Sequence, residues 1–200
     1  MKNMKKGAMF GLDARIALAI FGALSVITGA ALYSAIQDSR VVSIITEMDN
    51  VDKAITAYYL DTGVYPAASA LNANLLETRE LTDSSVVGWL GPYLTFENGT
   101  TDDMLNHPIY DEVAIYSNDD GAWSDGADAG SKCKGPDHAS TSTACSVYIC
   151  YTGIANDIQT ALDVKIDGAD DNDAGNFRYT NGGAACKKGL LYDIALGAAA

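Results

Sequence analysis

Apolar residues follow two regimes along the first third of the chain. Residues 16–36 run for 21 positions without a charge, apolar on every side of a helix and long enough, at 1.5 Å per residue, to cross a hydrocarbon core of roughly 30 Å. From Val41 the pattern turns periodic. Val41, Ile44, Ile45, Met48, Val51, Ile55, Tyr58 and Tyr59 recur at steps of three and four, with Glu47, Asp49, Asp52 and Lys53 between them, the mark of a helix with one buried face. The two stretches join into one predicted helix over residues 12–61, closed by Asp61-Thr62-Gly63 and then Pro66, glycine as a left-handed cap and proline as a breaker.

Beyond that stop, Leu71, Leu75, Leu76 and Leu81 predict a short second helix over residues 67–81. Strands are predicted at 113–117, 146–152, 176–179 and 190–194, separated by Gly, Asn and Asp clusters that read as turns. Ile154, Ile158, Ala161 and Leu162 add a further helical turn or two. The fold class is therefore α+β, a long N-terminal helix, transmembrane and then amphipathic, packed on a small antiparallel sheet.

Charge narrows the function. There are 13 Lys+Arg against 26 Asp+Glu, and eleven acids fall between Glu80 and Ser131 with no Lys or Arg among them. Such a surface repels phosphate, so nucleic acid is not the expected partner. Lys2, Lys5 and Lys6 precede the apolar run and hold that end in the cytoplasm by the positive-inside tendency. The four cysteines, Cys133, Cys145, Cys150 and Cys186, then lie across the membrane, where disulfides persist. Three pairings exist. Residues five apart on a strand face opposite sides, which favours Cys133 with Cys145 and Cys150 with Cys186.

Lys5-Lys-Gly-Ala-Met-Phe-Gly-Leu-Asp13, the apolar helix, and Tyr58-Tyr-Leu-Asp-Thr-Gly-Val-Tyr-Pro66 together resemble the type IV pilin and type II secretion pseudopilin superfamily. Gly88-Trp-Leu-Gly-Pro-Tyr-Leu94 and His107-Pro-Ile-Tyr110 are similar to later segments of major pseudopilins, and the four-cysteine region is more similar to the disulfide-closed region of type IV pilins. The resemblance implies a pilin-like fold and a leader removed by a prepilin peptidase, with methylation of the new N-terminus. It also implies an acidic residue fifth in the mature chain. Cutting after Ala8 makes Met9 first and Asp13 fifth, whereas cutting after Gly7 makes Asp13 sixth; the acidic register favours Ala8. Asp replaces the family's common Glu, and the anchor lacks proline. The implied organisation is leader 1–8, transmembrane and assembly helix 9–36, and head 37–200. The implied partners are identical or related pilin subunits, the prepilin peptidase, an inner-membrane assembly platform and the membrane itself. The resemblance further implies a single-pass chain in the inner membrane with a periplasmic head, which becomes part of a periplasmic or extracellular filament once assembled. On the same resemblance Asp13 is expected as the assembly residue, paired with a neighbouring subunit's N-terminal amine, which would offset the cost of a carboxylate in hydrocarbon.

Two acidic loops have the oxygen density that Ca2+ prefers. One holds Asp119, Asp120, Asp125 and Asp128, the other Asp167, Asp170, Asp171 and Asp173. The first is also similar to the calcium-holding loop of pseudopilins. Like charges this close favour a counter-ion, and a solvated acidic turn is the alternative. His107, beside Pro108, is expected as a turn residue and His138 as a surface residue. With no nucleophile elbow and no C-x-x-C, the chain is not expected to be an enzyme. Trp89, Tyr93, Tyr110 and Tyr116 are expected in the core. Of two functional readings, the filament subunit leads; a membrane-anchored, calcium-stabilised extracytoplasmic binding module is the alternative.

Overall fold

The computed structural model describes residues 7–71, 74–119, 145–172 and 174–189. Helix α1 runs Gly7–Thr62. Gly63 ends it with φ 75°, its N–H returning to the Tyr59 carbonyl at 2.8 Å, so the residues expected to stop the helix do so. The chain divides into two compact units, Met1–Val42 and Ser43–Ala200.

In the first unit every large apolar side chain from Ile16 to Ile36 is exposed, Leu18 and Phe21 at 74% and 75%. The most apolar 18-residue window has a mean hydropathy of 2.1 and no residue buried within the chain. Two polar side chains bond within the helix. Thr28 Oγ1 donates to the Leu24 carbonyl at 2.9 Å and Gln37 Nε2 to Tyr33 Oη at 2.8 Å, the local satisfaction that a hydrocarbon environment demands.

The second unit is α+β. A six-stranded antiparallel sheet has the order β1-β2-β3-β4-β6-β5, where β1 is Glu97–Asn98, β2 Met104–Asn106, β3 Glu112–Asp119, β4 Cys145–Tyr151, β5 Phe177–Tyr179 and β6 Ala185–Lys188. Helix α2, Asn156–Asp167, lies between β4 and β5 in sequence. The register puts Leu105, Val113, Ile115, Ile149, Tyr151 and Phe177 on one face, and all are buried. Ile44, Met48, Val51, Ile55 and Tyr58 of α1, none more than 1% exposed, supply the facing stripe. Each such side chain contributes about 1.5–3 kcal/mol on burial, so this half of α1 belongs to the head's core. Polar ties flank the stripe: Lys187 pairs with Asp49, and Tyr58 donates its hydroxyl proton to Glu80. Burial and the Glu80 carboxylate both push the Tyr58 hydroxyl pKa upward.

The opposite face carries a smaller cluster of Tyr148, Cys150 and Cys186, flanked by Tyr116 and Ala184. Cys150 and Cys186 are directly paired across β4 and β6 and joined by a disulfide. Cys133 lies outside the described residues, as do the expected strand at 190–194 and His138.

Two expectations need correction. Residues 67–81 do not form a second helix; only a 3₁₀ turn, Thr78–Leu81, is helical there. Leu75 instead bridges Tyr116, and Ala68 bridges Leu76. Leu76 N–H donates to the Ile115 carbonyl at 2.9 Å and Ser117 N–H to the Asn74 carbonyl at 2.7 Å. Strand β2 covers β3 only as far as Ala114, and the backbone around Leu75 takes up the open edge beyond it. Pairing with that edge overrides the helical spacing of the leucines, and Leu71 is left 76% exposed. Trp89, Tyr93, Tyr110 and Tyr116 are half-buried. The core aromatics are Tyr58, Tyr148, Tyr151 and Phe177.

Candidate functional site

The candidate assembly surface is the first half of α1. Gly7, Ala8 and Met9 lie in its first turn, and Asp13 is exposed one turn further on, just ahead of the uncharged run. A carboxylate in that position is at the rim of a surface that water does not solvate well, and carrying it into hydrocarbon costs several kcal/mol unless a cation meets it. Arg15 is exposed nearby. Nothing within 4 Å would meet a Cβ added at Gly11, Gly22 or Gly29, so these positions leave the helix surface open to close approach.

In the head, residues 88–94 close over the C-terminal end of α1. Trp89 Nε1 donates to the Glu80 carbonyl at 2.9 Å, and Tyr93 Oη donates to Asp61 Oδ2 at 2.7 Å. Gly88 has φ 95°, and a Cβ there would stand 2.4 Å from the Asp61 carbonyl oxygen; only glycine allows both the turn and this approach. The segment singled out by its resemblance thus clamps the helix end.

His107 is buried, and its role is structural. Its Nδ1 accepts the backbone N–H groups of Ile109 and Tyr110 at 3.1 and 3.0 Å. That fixes the proton on Nε2, which donates to Glu47 Oε2 at 2.9 Å. The ring stacks on Tyr110 and meets the edge of Tyr151, a buried phenol whose pKa is pushed upward by desolvation first and by Glu47 next. The expected turn residue is therefore also a tie between the 107–110 turn and α1. Beside it a cleft of about 590 Å³ is lined by Glu47, Asn50, Lys53, Phe96 and Ile109.

Of the first acidic loop, Asp120, Asp125 and Asp128 lie outside the described residues, and only the backbone of Asp119, at the end of β3, is described. Asp173 of the second loop also lies outside. Asp167 is engaged otherwise than expected: its Oδ2 accepts the Phe177 N–H at 2.7 Å and its Oδ1 the Asn176 N–H at 3.0 Å and Nδ2–H at 3.1 Å, which anchors the start of β5 to the end of α2. Asp170 Oδ1 accepts the Tyr179 hydroxyl at 2.7 Å. Asp171 is exposed and gives its N–H to Asp163. Among the described residues no three His, Cys, Asp or Glu side chains form a ready-made metal site. Two side chains of α2 absent from the sequence reading are buried here, Asp163, which accepts the loop's Asp171 N–H, and Gln159 one turn before it, which bonds the Gly183 carbonyl. Their signal in the sequence is slight: each directly follows an apolar stripe residue, Ile158 or Leu162, and so shares the edge of the buried face.

No protein-family model, curated protein or solved structure matches the chain. A long N-terminal helix over an antiparallel sheet with a disulfide is compatible with a pilin-like fold, and α1 is long and apolar enough to span a membrane.

Proposed function

We propose that the chain is a structural subunit of a type IV filament, a type II secretion pseudopilin or a type IV pilin, released from its leader by a prepilin peptidase and assembled through its N-terminal helix. The uncovered apolar surface of residues 16–36 carries this reading, because none of the described residues buries it. A bilayer covers such a surface before assembly and the helices of neighbouring subunits cover it afterwards. Exchange of lipid for protein contacts gains little hydrophobic energy, so packing and polar pairing decide the register. Asp13 is the group that does this, pairing with the N-terminal amine of an adjacent subunit. Replacing it with Ala, in cells that carry the assembly machinery, is expected to reduce sheared filament yield at least about tenfold, in line with a lost pairing of over 1.4 kcal/mol. Protease resistance of the head stays as in the wild type. Undiminished fibre yield from Asp13→Ala would refute the pairing.

The cleft beside His107 favours a second reading, a membrane-anchored binding module. Such a module has no need of leader cleavage, which separates the two.

A further inference from the structure

Helix α2 buries two polar side chains one turn apart, Gln159 and Asp163, neither with exposed surface. Gln159 Nε2 donates to the Gly183 carbonyl at 3.2 Å, and Asp163 Oδ2 accepts the Asp171 N–H at 2.6 Å. Their other oxygens, Gln159 Oε1 and Asp163 Oδ1, are buried with no hydrogen-bond partner. Two acceptors cannot satisfy each other, and a buried acceptor left unpaired is costly, most of all on a carboxylate. The bond from Asp171 holds the Asp163 carboxylate against the acidic loop, so its unpaired oxygen lies at that loop's inner side. Asp163, Asp167 and Asp170 form no ion pair among the described residues.

We propose that this cluster is a divalent-cation site of the calcium class, with Gln159 Oε1 and Asp163 Oδ1 as its inner oxygens and the Asp170 carboxylate as its outer one. Calcium takes six to eight hard oxygens in a loose geometry and accepts amide carbonyl, carboxylate and water alike. Magnesium demands a tighter octahedron and sheds water reluctantly, which suits a half-buried, mixed donor set less well. A cation here satisfies both buried oxygens at once and offsets the repulsion among the carboxylates. Asp167 is left out of the proposed set, its two oxygens accepting three hydrogen bonds, from Asn176 and Phe177, that anchor the start of β5. Tyr179 donates its hydroxyl proton to Asp170 and accepts one from the Thr160 hydroxyl at 3.0 Å, which sets an aromatic ring beside the site. The site does not depend on the filament reading; a subunit and a tethered module would use it equally.

The full chain in detergent, stripped with chelator, is titrated with calcium, with magnesium, and with terbium as a luminescent calcium substitute. Calcium is expected to raise the melting temperature by several degrees and magnesium to do so less. Terbium emission excited through tyrosine is expected, with Tyr179→Phe lowering that emission while calcium still shifts the melting temperature. Asp163→Asn and Gln159→Met should each weaken terbium binding at least about tenfold. Should Asp163→Asn fail to fold, Gln159→Met and Tyr179→Phe decide the matter alone. Two results would overturn the site. In one, the variants keep the full calcium response, so that the ion sits elsewhere on the chain. In the other, the wild type ignores calcium altogether, so that no ion fills the pocket.

Discussion

At the scale of single residues, Asp163 makes the sharpest demand on the solvent. Burial first, then the charges of Asp167, Asp170 and Asp171, raise its pKa above the usual carboxylate value. A carboxyl whose folded pKa is raised favours folding while protonated, below the unfolded value of about 3.9, and that contribution is lost as pH rises through the folded value. In calcium-free buffer Asp163→Asn should therefore be more stable than the wild type at neutral pH, and the difference should close as pH falls toward about 4. Urea unfolding of both proteins across pH reads this directly; a difference independent of pH would show that Asp163 is not the group that titrates. The residue was hard to see in the sequence. A Gln and an Asp on a short amphipathic helix are ordinarily read as its solvent side, and only the packing of α2 reveals them as buried. The oxygen density around Asp167 points to a cation, and the sequence does not show that a carboxylate at the end of a helix is equally suited to gather the N–H groups of the strand that follows.

At the scale of elements, what could be read in advance follows the strength of periodicity. The second half of α1 declares itself because Ile44, Met48, Val51, Ile55 and Tyr58 repeat over several turns and all meet one sheet face. β3 and β4 are long and rich in β-branched and aromatic residues, and their patterns suffice. β1, β2 and β6 have two to four residues each, too few to show alternation; they exist because longer neighbours offer open edges. The same edge of β3 explains why Leu75 and Leu76 extend rather than coil. The disulfide staples β4 to β6 across a sequence separation of 36. Loop-closure entropy for a ring of that size corresponds to roughly 4 kcal/mol of stability, with measured bridges typically at about 2–4. Replacing Cys150 and Cys186 together with Ala should cost stability in that range by denaturant unfolding. A loss below about 0.5 kcal/mol would mean that strand pairing alone holds β6 in place.

At the scale of the whole molecule, one chain carries two surfaces with opposite requirements. Residues 16–36 present an apolar surface that none of the described residues covers, while the head is acidic, with eleven acids and no Lys or Arg between Glu80 and Ser131. Apolar surface of that extent is stable only against lipid or other protein. The acidic head resists non-specific association, and the proposed filament would use the helix as the route by which subunits meet. On that proposal the leader has to be cut, since Lys2, Lys5 and Lys6 would otherwise hold the N-terminus at the cytoplasmic surface and deny Asp13 an amine at the start of a neighbouring helix. The most direct measurement is the intact mass of the chain extracted from membranes of cells that contain a prepilin peptidase. The filament account predicts loss of residues 1–8 and a methylated Met9. A membrane-derived chain that still carries Lys6 would contradict it.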